Sequence, residues 1–264
     1  MLTEAKNTIK VIFLSFKYNM MKEMVNKFTF FANIIFMMIN NSSFLAMWGL
    51  IFNIKSDIAG IGFNDVLLIW GMSSFSFGVA HCMFRRAFWI CDEIVEGKLD
   101  TYLVQPKNVL LMVITSSVEV SAIGDMIYGI VLAFVLKLSF LQFLRFIFMG
   151  ICGGIISIAF AIILQSLSFY IPRSEALSTS FESMLGQTST YPQQIFSKGI
   201  QLILYSIIPT GFHIYLPVKI VMNFDIKYVL IEIIMTSVYT FLAFFVFNKG
   251  LKHYASNNLM ASRV

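Results

Sequence analysis

The feature that most constrains this sequence is a series of long apolar windows with few or no charged residues, spread over nearly the whole 264-residue chain. A helix needs about 20 apolar residues to cross the roughly 30 Å hydrocarbon core of a bilayer. Six windows approach or exceed this length and predict spans at about 28–54, 64–88, 109–137, 143–171, 199–217 and 228–248. The predicted fold class is therefore all-α, with residues 1–264 forming one polytopic transmembrane domain.

The fifth window leaves two alternatives open. It contains Pro209 and Pro217, and proline interrupts the hydrogen-bonding pattern of a helix. The stretch is then either one continuous span or a broken or re-entrant helix.

Composition excludes several function classes. Only 12% of the residues are charged, against roughly 25% in soluble domains. The net charge of +5 is typical of a membrane protein whose Lys and Arg hold loops on the cytoplasmic side, so we expect a lipid bilayer and no nucleic acid as partner. The three cysteines and three histidines are scattered, and their spacing predicts no metal site.

The distribution of basic residues predicts the orientation. Six spans place both termini on the same side, and the segments on that side, including residues 85–108 and 173–198, hold 14 of the 19 Lys and Arg residues. Positive residues favour the cytoplasmic side. We therefore expect a multi-pass protein of the cell membrane with both termini in the cytoplasm.

The first 27 residues have the pattern of an amphipathic helix. Apolar residues recur there at helical spacing, while lysines occupy other positions around the helix. The pattern predicts a helix that lies in the inner membrane interface. A cytosolic extension of the first span is the alternative. The apolar positions are Ile9, Ile12, Phe13, Phe16, Met20 and Met24.

A compact charged block interrupts the apolar sequence at residues 91–108. Val95, Leu99 and Leu103 are four apart and would share one face of a helix, with Glu96 and Asp100 on another. A following proline at position 106 would end that helix. The block predicts a short helix that lies at the membrane surface and docks a soluble partner, or else a solvated loop that reverses the chain.

The run "EGKLDTYLVQPKN" within this block resembles the segment between the second and third spans in permease subunits of the ABC-2 class of ATP-binding-cassette transporters. The pattern there, Gly-x-Leu-Asp/Glu-x-x-Leu-x-x-Pro, is matched by Gly97, Leu99, Asp100, Leu103 and Pro106. "GDMIYGIVLAFVLKLSF" (124–140) is similar to the third span of the six-span branch of that class. "YPQQIFSKGIQLILYSIIPTGFHIYLPVKIV" (191–221) is similar to its Tyr-Pro segment and fifth span.

The resemblance implies a permease subunit of an exporter that moves a hydrophobic or amphipathic substrate. Residues 91–108 would be the coupling helix that docks on a separate ATPase subunit, and the N-terminal helix would brace the same subunit. A second permease chain, the same or a sister, would complete a dimer. The residues assigned to ATPase coupling are Glu93, Glu96, Gly97, Leu99, Asp100, Leu103 and Pro106.

No nucleotide-binding loop of the form GxxxxGK[ST] occurs in the sequence. The chain by itself is therefore predicted not to be an enzyme and to hold no cofactor, with ATP and Mg²⁺ bound by the ATPase subunit. Two other functions remain open. An ATP-independent carrier or channel would need paired charges inside the membrane, and an intramembrane enzyme would need converging His, Asp or Ser residues.

Three acidic residues, Glu119, Asp125 and Glu232, fall in or near apolar windows, where a charge is costly and often functional. Asp125 lies deepest in its predicted span. It is expected to pair with a basic residue, to contact a second permease subunit, to contact a cationic substrate, or to form hydrogen bonds with Ser or Thr hydroxyls.

Overall fold

The computed structural model describes residues 2–55, 57–58, 60–171 and 174–254. Within these residues the chain is helical, and its extended backbone pairing is limited to the isolated bridge between Ile58 and Ile61. The helices are α1 (Leu2–Glu23), α2 (Lys27–Ile54), α3 (Phe63–Phe84), α4 (Ile90–Val95), α5 (Asp100–Leu103), α6 (Val109–Ile114), α7 (Ser121–Val135), α8 (Phe140–Gln165), α9 (Glu175–Thr188), α10 (Lys198–Ser206), α11 (Leu216–Met222) and α12 (Ile226–Leu251).

Shorter helical turns connect several of these helices. The 3₁₀ turns are Arg85–Trp89, Ser166–Phe169 and Gln193–Ile195, and Gly211–Tyr215 forms a π-helical turn directly before α11.

Glycines set the packing of the central helices. A Cβ atom added at Gly129 of α7 would lie 2.6 Å from the carbonyl oxygen of Gly71 on α3. A Cβ atom at Gly154 of α8 would lie 2.9 Å from the carbonyl oxygen of Ser76. Small residues let helix backbones approach this closely. The three helices α3, α7 and α8 therefore form one tightly packed layer, with α2 and α12 at its sides.

Residue-by-residue contacts give the direction of each helix. We call the end of the bundle at which α2 begins proximal and the opposite end distal. α3 returns from the distal to the proximal end, and α8 runs parallel to it, because Gly71 faces Phe146 and Gly154 faces Ser76. α12 also descends toward the proximal end, where Gly250 packs against Phe169.

Within the part of the chain that the structure describes, four helical stretches are long and apolar enough to cross a membrane: Lys27–Ile54, Phe63–Val95, Phe140–Phe169 and Ile226–Leu251. The bent pair Lys198–Ser206 and Gly211–Met222 would make a fifth if it were counted as one span, and Ser121–Val135 is a shorter apolar helix. The chain is thus an all-α polytopic membrane protein. The total of six spans stays a prediction.

The third predicted span, 109–137, is divided into α6 and α7 by an irregular segment at residues 115–120. Helix α1 contacts this break: Ser15 Oγ donates to the Thr115 carbonyl at 2.8 Å, and Asn19 Nδ2 donates to the same oxygen at 3.2 Å. These bonds satisfy a carbonyl at a helix end that would otherwise lack a partner. The N-terminal helix is therefore anchored to the interruption, while its position in the membrane interface stays a prediction.

The fifth predicted span is broken. α10 and the stretch Gly211–Met222 are bent by 86° at a break that contains Pro209. The ring Nδ1 of His213 lies 2.9 Å from the Gly153 carbonyl oxygen near the middle of α8, and Arg145 near the start of α8 donates to the Val221 carbonyl at 3.4 Å. The second arm thus returns to the distal end. The broken, re-entrant alternative is the one that the contacts support.

Helix α9 lies within the range 173–198, for which the sequence predicted a loop. Ser178 Oγ donates to the Leu164 carbonyl at the proximal end of α8 at 3.0 Å. Further along the chain, Gly186 reaches Phe77 of α3, and the ring of Tyr191 packs 5.9 Å from that of Trp48 near the distal end of α2. α9 and the turn after it therefore ascend along the bundle, while the fifth span at 199–217 and the side of the membrane stay predictions.

A cross-link tests this placement. The hydroxyls of Thr188 on α9 and Thr210 at the re-entrant bend lie 2.7 Å apart. In a protein whose three native cysteines are replaced by alanine, we expect Thr188→Cys/Thr210→Cys to form a disulfide under mild oxidation, since the two side chains meet within the range a disulfide needs. Mass spectrometry of the digested protein detects the joined peptides.

The matched control is Thr188→Cys/Ser206→Cys, because the exposed Ser206 bonds within its own helix to the Leu202 carbonyl. Equal cross-linking of both pairs, or no cross-link in either, would contradict the position of α9 in the bundle.

Candidate functional site

An open cleft of about 440 Å³ lies between α2, α3, α7 and the end of α9. A second cavity of about 270 Å³ continues it toward the proximal end and shares Phe77, His81 and Glu119 with it. We call the two together the polar cleft. Its walls combine aromatic rings with carboxylates, hydroxyls and amides. This combination of residue types is typical of a binding site or passage inside a membrane protein.

The structure places Asp125 on the wall of the polar cleft. Its Oδ1 accepts a hydrogen bond from Asn41 Nδ2 of α2 at 2.6 Å, and Asn41 is buried. The salt bridges found among the described residues involve Arg85, Arg86 and Lys98, and none of them reaches Asp125. Asp125 is therefore oriented by a neutral amide and faces open space, while its role stays a prediction.

The proximal part of the polar cleft is organised around Gln165 at the end of α8. Its Nε2 donates to the Phe88 carbonyl at 2.9 Å and to Glu182 Oε1 of α9 at 3.0 Å. Its Oε1 accepts from the Cys91 backbone N–H at 3.0 Å. One buried side chain thus joins α8, α9 and the segment that leads to α4. Sequence reasoning missed Gln165, although a lone Gln at the end of a long apolar helix is a signal that could have found it.

Glu119 lies in the break between α6 and α7 and forms a salt bridge with Arg85 at 2.7 Å. Its other oxygen accepts from Ser121 Oγ at 3.0 Å. Glu119 therefore lies at the proximal side of the polar cleft, where its charge is paired.

Aromatic residues form the distal wall. Phe44 of α2 stacks on Trp70 of α3 with ring centroids 5.6 Å apart. Trp70 is 6% exposed, and its indole Nε1 has no hydrogen-bond partner among the described residues. A buried N–H group without a partner is costly. The wall therefore offers an apolar surface with one unsatisfied hydrogen-bond donor.

The outward face of α9 differs from the outward faces of α2 and α12. Exposed residues of α9 are mostly polar, whereas α2 and α12 expose Phe31, Phe36, Phe241 and Phe245. Hydrocarbon does not solvate hydroxyls and amides. Thr179 and Ser180 bond within the helix, but a face this polar still suits contact with water or another protein surface better than contact with lipid. Its exposed polar residues are Glu175, Thr179, Ser180, Ser183 and Gln187.

The charged block at 91–108 forms two short helices where one helix was expected. α4 ends at Val95, Gly97 adopts a positive φ of 70°, and α5 begins at Asp100. Glycine adopts this left-handed conformation without steric cost, so the chain turns between the helices. Val95, Leu99 and Leu103 therefore do not share one helical face, which corrects the sequence prediction.

Two of the predicted coupling residues are buried inside the chain. Leu99 has no exposed surface and packs in a cluster with Ile90, Leu110 and Phe247. Glu93 is 2% exposed, and its Oε1 lies 3.1 Å from Arg86 Nε. Both side chains therefore pack inside the protein and offer almost no surface to a partner subunit.

The remaining predicted coupling residues lie at the outer side of the turn. Glu96 forms a salt bridge with Lys98, Asp100 begins α5, and the side chains of Leu103 and Pro106 are exposed. The apolar surface of the turn consists of Val95 (54% exposed), Leu103 (43%) and Val104 (84%). We call these three residues the proximal apolar tip. Val104 was not singled out in the sequence, because it lies off the expected helical repeat.

Among the residues that the structure describes, no group of three or more His, Cys, Asp or Glu side chains could hold a metal ion. His213 is buried against Gly153 and His81 stacks on Phe88 at 4.0 Å, so both pack as structural residues.

The fold is that of an all-α polytopic membrane protein with a polar cleft open along one side. The sequence model of the family described as "ABC-2 family transporter protein" matches residues 36–258. The chain therefore belongs to the ABC-2 transporter family, whose members are the membrane permeases of ABC transporters and are not themselves catalytic. No curated protein and no solved structure matches the chain.

The contrast between Leu99 and Leu103 gives a stability prediction. Leu99→Ala leaves a cavity in a packed cluster and should lower the free energy of unfolding by about 2–5 kcal/mol. Leu103→Ala removes an exposed side chain and should change it by less than about 0.5 kcal/mol. Melting temperatures of the detergent-solubilised variants measure the difference. Equal shifts for both variants would contradict the burial of Leu99.

Proposed function

We propose that this chain is the permease subunit of an ABC exporter in the cell membrane, with a separate ATPase subunit and a second permease subunit as partners. The observation that carries the proposal is the polar cleft with the polar outward face of α9 beside it. The family match supports the permease class. Direction of transport, substrate and coupling are the proposed part.

A second permease subunit would close the path. The polar cleft is open along one side, and the exposed face of α9 carries Glu175, Ser183 and Gln187, which suit contact with another protein better than contact with lipid. A second copy, or a sister chain with a similar polar face, would convert two open clefts into one enclosed passage. Because lipid contact suits α2 and α12, we place the subunit interface on the α9 side.

The ATPase subunit would dock at the proximal end. The proximal apolar tip presents exposed Val95, Leu103 and Val104 on a turn that is braced by buried Leu99. Small apolar anchors that fill a pocket supply most of the binding energy in many protein interfaces. ATP and Mg²⁺ would belong to that subunit. Movement of the tip would reach the polar cleft through Gln165, which bonds to Glu182 and to the backbone of Cys91.

The proximal end is assigned to the cytoplasm. With α9 as an ascending segment, Lys198 moves to the distal end, and the proximal segments hold 13 of the 19 basic residues where 14 were counted before. This excess still favours a cytoplasmic proximal end. Both termini, which flank α1 and α12, would then be cytoplasmic.

Co-purification tests the docking surface. We expect wild-type protein in detergent to retain a co-expressed candidate ATPase subunit. Val104→Arg should reduce the recovered ATPase at least about tenfold, because a buried charge at an interface costs more than about 1.4 kcal/mol. The matched control is Ile54→Arg, which changes a residue of similar exposure, 89% against 84%, at the distal end.

Recovery of the ATPase with Val104→Arg at the wild-type level would place the docking contact elsewhere. If wild-type protein recovered no ATPase while remaining monodisperse, the proposed partnership itself would be contradicted.

A further inference from the structure

The polar cleft has an uneven distribution of charge. Among its lining residues are 5 of the chain's 14 Asp and Glu residues but only 1 of its 19 Lys and Arg residues, namely Arg85. This is the reverse of the whole chain, which carries a net charge of +5. The acidic residues are Asp92, Glu119, Asp125, Glu175 and Glu182.

Two of these carboxylates are oriented by partners that do not neutralise them. Arg85 pairs with Glu119. Asp125 and Glu182 instead accept hydrogen bonds from the neutral amides of Asn41 and Gln165. An amide donor fixes the position of a carboxylate and leaves room for a cation at its other oxygen, since each carboxylate can accept about four hydrogen bonds.

An independent observation points to an organic ligand with an apolar body. The stacked rings of Phe44 and Trp70 form a wall of the same cavity as Asp125. A small inorganic cation would not use these rings, whereas the apolar part of an amphipathic molecule would cover them.

We propose that the polar cleft takes an amphipathic organic cation, with its positive group at Asp125 and its apolar part against Phe44 and Trp70; this inference rests on the transport function proposed above. Glu182, Asp92 and Glu175 lie toward the proximal end and attract the cation to the entrance. Anionic substrates are excluded, because the walls supply four carboxylates beyond the pair with Arg85.

Paired probes of equal shape and opposite charge separate this proposal from simple hydrophobic binding. Tetraphenylphosphonium and tetraphenylborate are measured by equilibrium dialysis against the full chain in nanodiscs, with empty nanodiscs as the blank. We expect saturable binding of tetraphenylphosphonium and none of tetraphenylborate. Asp125→Asn should weaken phosphonium binding about tenfold, the usual size of a charged interaction.

The matched control is Asp57→Asn, which makes the same change at an exposed residue outside the polar cleft. Glu182→Gln is a second variant and should weaken binding in the same direction if Asp125→Asn does not fold. Saturable binding of tetraphenylborate, absence of phosphonium binding, or equal affinity in wild type, Asp125→Asn and Glu182→Gln would overturn the proposal.

The assay uses the permease without its ATPase. If tetraphenylphosphonium does not bind but the ATPase still co-purifies with the permease, the proposed substrate class is wrong and the proposed transport function stands.

Discussion

The cost of placing polar groups at the depth of hydrocarbon is the constraint on which the rest of the structure depends. Helix α9 is rich in Ser and Thr and nevertheless runs beside α8 and α3. Its hydroxyls are satisfied in part within the helix: Thr179 donates to the Glu175 carbonyl, Ser180 to Ala176 and Ser189 to Leu185. The other polar side chains of α9 line the polar cleft or lie on its exposed face. A single chain therefore exposes a polar surface beside the polar cleft.

The close packing of α3, α7 and α8 supplies the rigid base for this arrangement. Gly71, Gly129 and Gly154 allow backbone contacts that no larger residue permits. Protein interiors packed at this density transmit displacements rather than absorb them.

The apolar windows predicted α2, α3, α8 and α12 from sequence, because most of the residues in those helices are apolar. α9 was missed for the opposite reason. Hydropathy identifies a helix as a span only if its residues are apolar. Ser178 and Ser189 are polar but buried in the protein, so hydropathy assigned them to a loop.

The charged block shows a second limit of sequence reasoning. Val95, Leu99 and Leu103 have helical spacing in the sequence, but the chain turns at Gly97 and the helix does not continue. Leu99 is therefore buried, although the spacing predicted that it would share an outer face with Val95 and Leu103. Asp125 was identified from its depth alone. Its partner Asn41 lies 84 positions away in the chain, and no local pattern connects the two.

The central claim is that α9 runs from the proximal to the distal end of the bundle, so that Lys198 lies at the distal end. Single cysteines at Lys55, Lys198 and Lys98, in a chain whose native cysteines are replaced by alanine, are exposed to a membrane-impermeant maleimide on intact cells. The account predicts that positions 55 and 198 are labelled together and that position 98 is labelled only after the cells are opened. Labelling of position 198 together with position 98 would contradict it.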